Sequence, residues 1–254
     1  MRFLVALLFA VVAQTTLAQT PVVAAAANVK YALDDIVVAF RGDTGLAVRV
    51  AYGSSGNLAQ QIRNGAPFEL FLSADEETVD RLASAGLTRD RGTVYATGRV
   101  VLFVPRDSPL KADATLADLK AALADGRLKR FAIANPEHAP YGRAAQQALE
   151  RAGLWGTIRP RLVLGENVGQ AMQFAAGGDT QGGLVPLALV VAPQVAASGT
   201  HALLPESMHD PLRQRMVLLK PAGAAAEKFF AFLQGATARA IFVRHGYAVP
   251  GDAN

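Results

Sequence analysis

The residues best suited to chemistry sit where extended runs give way to helical spacing. Residues 51–62, AYGSSGNLAQQI, place two adjacent serines and a Gly-Asn pair between an apolar alternation and a helix-like run. One serine is enough to cap that helix, so the second hydroxyl asks for another use. The same junction recurs at AAAANVKYAL around Asn28, NPEHAPYGRAAQ around Tyr141 and GENVGQAMQ around Val168. Each sets a helix N-terminus, with unpaired N–H groups and the positive end of the macrodipole, beside a small polar group or bare backbone. In open α/β sheets these strand ends face the ligand crevice, so two facing lobes would contribute two junctions each. The donors are neutral: the hydroxyls of Ser54 and Ser55, the Asn28 amide and backbone N–H groups. They suit a compact dianion that binds without a proton. Helix capping alone also accounts for Ser, Asn and Gly at helix starts, and the residues by themselves leave both readings open. They also leave open which of Ser54 and Ser55 caps the helix.

Other chemistry is thinner. Gly53-Ser54-Ser55-Gly56-Asn57 approximates a G-x-S-x-G nucleophile elbow, but Asn57 occupies the last position and no matching acid and histidine follow. A secreted serine hydrolase using Ser54 or Ser55 with His138 is the reading from a different class, and it lacks a third group to orient the base. His201, His209 and His245 have no metal-ligand spacing, so no directly ligated metal is expected. Asp34-Asp35 and Glu76-Glu77 read as solvated helix faces. Arg143, one turn into a helix, reads as an exposed rim charge or a gate.

The stretch MRFLVALLFAVVAQTTLAQT has one basic residue, an apolar run from Phe3 to Ala13 and small residues flanking Leu17. It is expected to be a signal peptide, 1–18, cut after Ala18, which implies a periplasmic protein. The run is too short to span a bilayer. With no cysteine in 254 residues, the fold must hold by packing, and no lipid-modified cysteine anchor is expected. Of the chain, 51% is hydrophobic and 18% charged, with a formal net charge of +4, which describes a globular protein. No basic run exceeds two residues, so a nucleic-acid partner is not expected.

Short β-branched runs alternate with helical patterns, which argues for α/β architecture with mostly parallel sheets flanked by helices. Strand-like runs stand at 22–27, 46–53, 68–74, 94–105, 130–136, 161–165 and 213–221, and the segment 227–247 reads as two helices broken at Gly235. The expected organisation is two lobes: residues 19–103 form the first part of lobe I, 104–206 form lobe II, and 207–254 return to lobe I.

At this level of detail the chain resembles the molybdate-binding proteins of bacterial molybdenum importers, the periplasmic substrate-binding components of ABC transporters. The resemblance runs nearly end to end and is carried by GSSGNLAQQI with NGAPFELFLSAD, by ANPEHAPYGRAAQQALERAGLW, by GENVGQAM and by AEKFFAFLQGATARAIFVRHGY. It implies a two-lobed periplasmic-binding-protein fold of type II, with molybdate or tungstate held in the cleft by hydrogen bonds alone. It implies no catalysis and no cofactor, a monomer, and a membrane permease as partner. It assigns Asn28, Ser54, Ser55, Tyr141 and Val168 to the oxyanion, with Tyr141 and Val168 acting through backbone N–H groups. Where commoner members supply a tyrosine hydroxyl from the second lobe, this chain has Pro186. A carrier for another tetrahedral oxyanion, sulfate above all, is the nearest alternative. Protonated phosphate would ask for an acidic acceptor at a junction, and none is expected there.

Overall fold

The computed structural model describes residues 20–251, so the expected signal peptide lies outside the described residues. The chain builds two five-stranded sheets. The first has the order β2-β1-β3-β10-β4, from Val22–Ala26 (β1), Arg49–Gly53 (β2), Leu70–Leu72 (β3), Thr93–Gly98 (β4) and Leu212–Leu218 (β10). The second has the order β7-β6-β8-β5-β9, from Val100–Pro105 (β5), Phe131–Ala134 (β6), Leu162–Gly165 (β7), Gly183–Pro186 (β8) and Gly199–Leu203 (β9).

Each sheet is mixed for the same reason. In the first, β1 pairs in parallel with β2 and β3, while β10 runs antiparallel to β3 and β4. In the second, β6 pairs in parallel with β7 and β8, while β5 runs antiparallel to β8 and β9. The reversed strands, β5 and β10, are those that follow a passage between sheets. The extended run 94–105 is therefore two strands, with β4 in one sheet, β5 in the other and Arg99 between them. The expected boundary at 103/104 falls inside β5.

Helices cover both faces of each sheet, so strands such as β1, Leu70–Leu72 and Phe131–Ala134 carry apolar side chains throughout. Val23, Ala24 and Ala25 of β1 are fully buried. The helix α1 (Lys30–Thr44) turns Leu33, Ile36 and Phe40 inward at helical spacing and stops at Gly45, which takes the left-handed conformation that glycine tolerates. The paired C-terminal helices, Ala224–Leu233 (α10) and Ala236–Arg244 (α11), lie on the first sheet, where Phe40 meets Phe229 edge to face at 4.9 Å. Among the described residues no helix is long and apolar enough to cross a membrane.

Candidate functional site

The helices α2 (Ser55–Arg63) of the first lobe and α5 (Pro140–Arg151) and α7 (Val168–Ala176) of the second converge on one small cavity. A single 3-10 turn, Ala27–Val29, brings Asn28 to it. Asn28, Ser54, Ser55, Tyr141 and Val168 all line this cavity, together with Gly53, Ala74 and Pro140. No charged side chain lines it. All five sequence-derived site residues are thus brought together, two junctions from each lobe.

The donors left for a ligand emerge by subtraction. Ser54 is the N-cap of α2, and its oxygen accepts the Asn57 N–H at 3.3 Å. Gly56 N–H crosses the cleft to the carbonyl of His138 at 2.9 Å. Of the first turn of α2, this leaves the Ser55 N–H. Ser55 Oγ accepts the Ala74 N–H at 2.9 Å, so its own hydrogen remains to be donated. On α7, the Asn167 side chain caps Gly169 and Gln170 at 2.9 and 3.1 Å, leaving the Val168 N–H. On α5, Pro140 has no N–H and Arg143 N–H closes onto Ala139, so the Tyr141 N–H has no intrahelical partner. The serines therefore divide the work: Ser54 caps, and Ser55 presents a hydroxyl and an amide.

The lobes touch across the cleft. His138 Nδ1 lies 2.9 Å from Ser54 Oγ, and Arg143 forms an ion pair with Asp75. Asn57 Nδ2 donates to Glu166 at 3.4 Å. Tyr141 reaches from α5 into the first lobe, where its hydroxyl accepts from Gln214 Nε2 at 3.1 Å. Two glycines allow this approach: a Cβ on Gly56 would stand 2.7 Å from the His138 carbonyl oxygen, and one on Gly98 would stand 1.9 Å from the Tyr141 hydroxyl.

Behind Asn28 lies a buried network that sequence reasoning missed. Asn28, Tyr95, Tyr141, Gln214 and Tyr247 are each under 5% exposed. Asn28 Nδ2 donates to Gln214 Oε1 at 2.9 Å and to Tyr247 Oη at 3.0 Å, and Tyr247 donates to the Asn28 carbonyl at 2.8 Å. Burial pushes the phenols of Tyr95, Tyr141 and Tyr247 above their ordinary value, which keeps the whole assembly neutral. The available signal was the alternation in LRQRM, which puts Gln214, a polar residue, on the inward face of a strand.

Arg143, expected as an exposed rim charge, is a bridge between lobes with a side chain 35% exposed. Pro186 ends β8 and is not among the cavity-lining residues. Two carboxylates, Asp75 and Glu166, stand near the junctions; neither lines the cavity, and each pairs elsewhere. Glu166 also faces His138 Nε2 at 3.6 Å, so Ser54, His138 and Glu166 lie in sequence like a hydrolytic triad. The last distance is too long for a hydrogen bond, the Glu166 side chain is 69% exposed, and Ser54 Oγ is spent as a cap.

A family model described as bacterial extracellular solute-binding protein matches residues 21–248. The chain belongs to that family. These are solute-binding proteins of ABC transporters rather than enzymes, which overturns the serine-hydrolase reading of Ser54 and Ser55 with His138. Among its relatives is the molybdate-binding protein ModA of Azotobacter vinelandii, 35% identical over 235 residues, with 89% of each chain covered. The ModA of Rhodobacter capsulatus is 34% identical, covering 89% of this chain and 87% of its own. The solved structure of the Azotobacter vinelandii periplasmic molybdate-binding protein superposes with a TM-score of 0.82 at 31% identity, covering 91% of this chain and 99% of that one. The two-lobed solute-binding fold expected from the sequence is the one found.

Proposed function

We propose that this chain is the substrate-binding component of a molybdate ABC importer, and that it holds molybdate, or its congener tungstate, in the cavity between the lobes. The observation that carries the reading is a cavity with no charged lining residue into which four unspent hydrogen-bond donors from neutral residues converge: the Ser55 hydroxyl and the N–H groups of Ser55, Tyr141 and Val168. The Ser54 hydroxyl, shared with His138, stands beside them. A dianion with oxygens on every side satisfies such donors without a counter-charge, and three helix N-termini add their dipoles. The metal of the oxyanion is cargo, reached through its oxygens and not ligated by protein atoms.

Both lobes supply donors, so the ion bridges them and favours the closed arrangement, in which a membrane permease receives it. A periplasmic location and a monomeric state, as for a diffusing carrier, complete the proposal. Titration calorimetry with molybdate, tungstate and sulfate tests it. Tight binding of the first two with competition between them is expected. Heat from sulfate at comparable concentration, or no heat from any of the three, overturns the assignment to molybdate.

A further inference from the structure

The cavity is closed. Asn28, Ser54, Ser55, Tyr141 and Val168 are each no more than 6% exposed, so an ion reaches it only if the lobes part. Among the described residues the chain passes between the sheets twice, at Arg99 and over 204–211, and the lobes part by turning about those two passages. The Tyr141 side chain stands beside them. Gly98 ends β4 just before the first passage, and Gln214 lies near the start of β10 just after the second, where Leu212 is in register with Gly98. The phenol fills the slot that these two residues leave. A Cβ on Gly98 would fall nearest to the Tyr141 hydroxyl, then 2.6 Å from Gln214 Nε2 and 2.9 Å from Tyr141 Cζ.

Position gives this contact a leverage that the rim contacts lack. The pairs His138–Ser54, Asn57–Glu166 and Arg143–Asp75 keep access to water, which replaces them when the lobes separate. Tyr141 and Gln214 are 3% and 0% exposed, and a hydroxyl both donates and accepts, so it satisfies either end of the Gln214 amide. Near a pivot, an obstruction the size of one methyl group is magnified at the rim in proportion to distance. The same residue also carries one of the N–H groups left for the anion. Pro140 fixes the backbone at the first turn of α5, so the ring and the N–H of Tyr141 move as one piece.

We propose that the Tyr141 side chain is a positioning residue for closure: its phenol must enter the hinge slot at Gly98 and Gln214 before the N–H groups of the second lobe reach the anion. This role is separate from that of the Tyr141 backbone N–H, which any residue but proline would supply at that position. It makes the affinity of the cavity depend on Gly98, a residue that does not line it.

The inference rests on the reading of the cavity as an anion site, and the experiment separates the two. Molybdate, tungstate and sulfate are titrated by calorimetry into the wild-type chain, Tyr141→Phe, Gly98→Ala and the double variant. Thermal melts and small-angle X-ray scattering are recorded for each, free and saturated. If wild type binds sulfate but not molybdate, the molybdate reading falls and sulfate becomes the probe of the slot; if it binds none of the three, both fall. Tyr141→Phe keeps the N–H and adds no atom, yet leaves the Gln214 amide short of a partner on closure, so binding about ten-fold weaker is expected. Gly98→Ala blocks the slot and is expected to bind about a hundredfold more weakly, without the contraction that the wild type shows on saturation. Tyr141→Phe removes the atom nearest the new methyl, so Gly98→Ala should cost less in that background than in wild type. Ligand-free melting temperatures are expected to stay close to that of wild type, because the slot is empty while the lobes are apart. A side chain that only packs would lower those temperatures and leave the losses in affinity additive. Unchanged affinity in Tyr141→Phe, full contraction of Gly98→Ala at wild-type affinity, or additive losses in the double variant overturns the proposal. The first of these decides it even where Gly98→Ala does not fold.

Discussion

Two regions of the interlobe cleft lie side by side and work by opposite electrostatics. The cavity at Ser55 has no charged lining residue, whereas the neighbouring groove is lined by Asp75, Glu76, Arg143, Asp210 and Arg213. In the groove, Arg143 pairs with Asp75 across the lobes and Arg213 with Glu76 within the first lobe. These charges keep partial access to solvent and pair with one another, so they cost little and contribute little. A charge buried in the cavity would stand unpaired whenever the ligand left, at a cost of several kcal/mol. Neutral donors at helix ends avoid that cost, and in the function proposed above they together supply the anion site. On that proposal, grip and alignment fall to different residues.

The largest expected effect comes from moving charge across that division. Asn28→Asp, nearly isosteric, places a carboxylate against the anion; affinity for molybdate should fall about a thousandfold or more by calorimetry. Retained binding would place the ion elsewhere. Next, Ser55→Ala removes a hydrogen bond to a charged ligand and should weaken binding by about 1.5–3 kcal/mol, ten- to a hundred-fold. Ser54→Ala should instead lower fold stability by about 1 kcal/mol, read from chemical denaturation, because its oxygen caps α2.

These two serines show how far the sequence could be read. The junctions are local signals, since a capping residue before helical spacing is visible within a dozen positions, and all five junction residues do line one cavity. What stayed hidden depends on distant partners. Asn28 and Gln214 are 186 positions apart and Asn28 and Tyr247 are 219, so no window of sequence contains the network. Arg143 looked like a free rim charge for the same reason, because Asp75 is 68 positions away. The division of 94–105 into two strands was hidden because both are apolar and extended, and only the pairing partners differ.

A smaller effect probes the approach of the lobes. Gly56→Ala sets a methyl 2.7 Å from the His138 carbonyl oxygen, so closure should be opposed by about 1–3 kcal/mol, seen as weaker molybdate binding and a more open particle by small-angle X-ray scattering. Arg143→Ala should cost about 1 kcal/mol or less, and the difference should vanish in high salt. The smallest expected effect is that of pH. The cavity holds no ionisable side chain outside Tyr141, whose phenol burial raises, so molybdate affinity should stay flat through the neutral range. The groove should not: burial raises the Glu76 carboxyl, but hydrogen bonds from Arg213 and Arg215 outweigh it and hold the group below its ordinary value. Glu76 therefore stabilises the fold fully above the usual carboxylate range and loses that contribution as the pH falls through its lowered value. Glu76→Gln should flatten the acid limb of a melting-temperature profile and leave neutral-pH binding unchanged.

The passage of the chain between sheets also sets an order of assembly. The strands of the second sheet all come from one uninterrupted stretch, 100–203, whereas the first sheet needs β10 inserted between β3 and β4. A chain emerging N-terminus first can finish the later sheet while the earlier one still has a gap at its centre. Four of the five residues that the sequence assigns to the anion have emerged by Tyr141, and the fifth by Val168, yet Asn28 has no Gln214 or Tyr247 to hold it until nearly the whole chain is out. The donors of the second lobe can be set early; competence to bind arrives last, in a single late step that joins residues from both ends of the described chain.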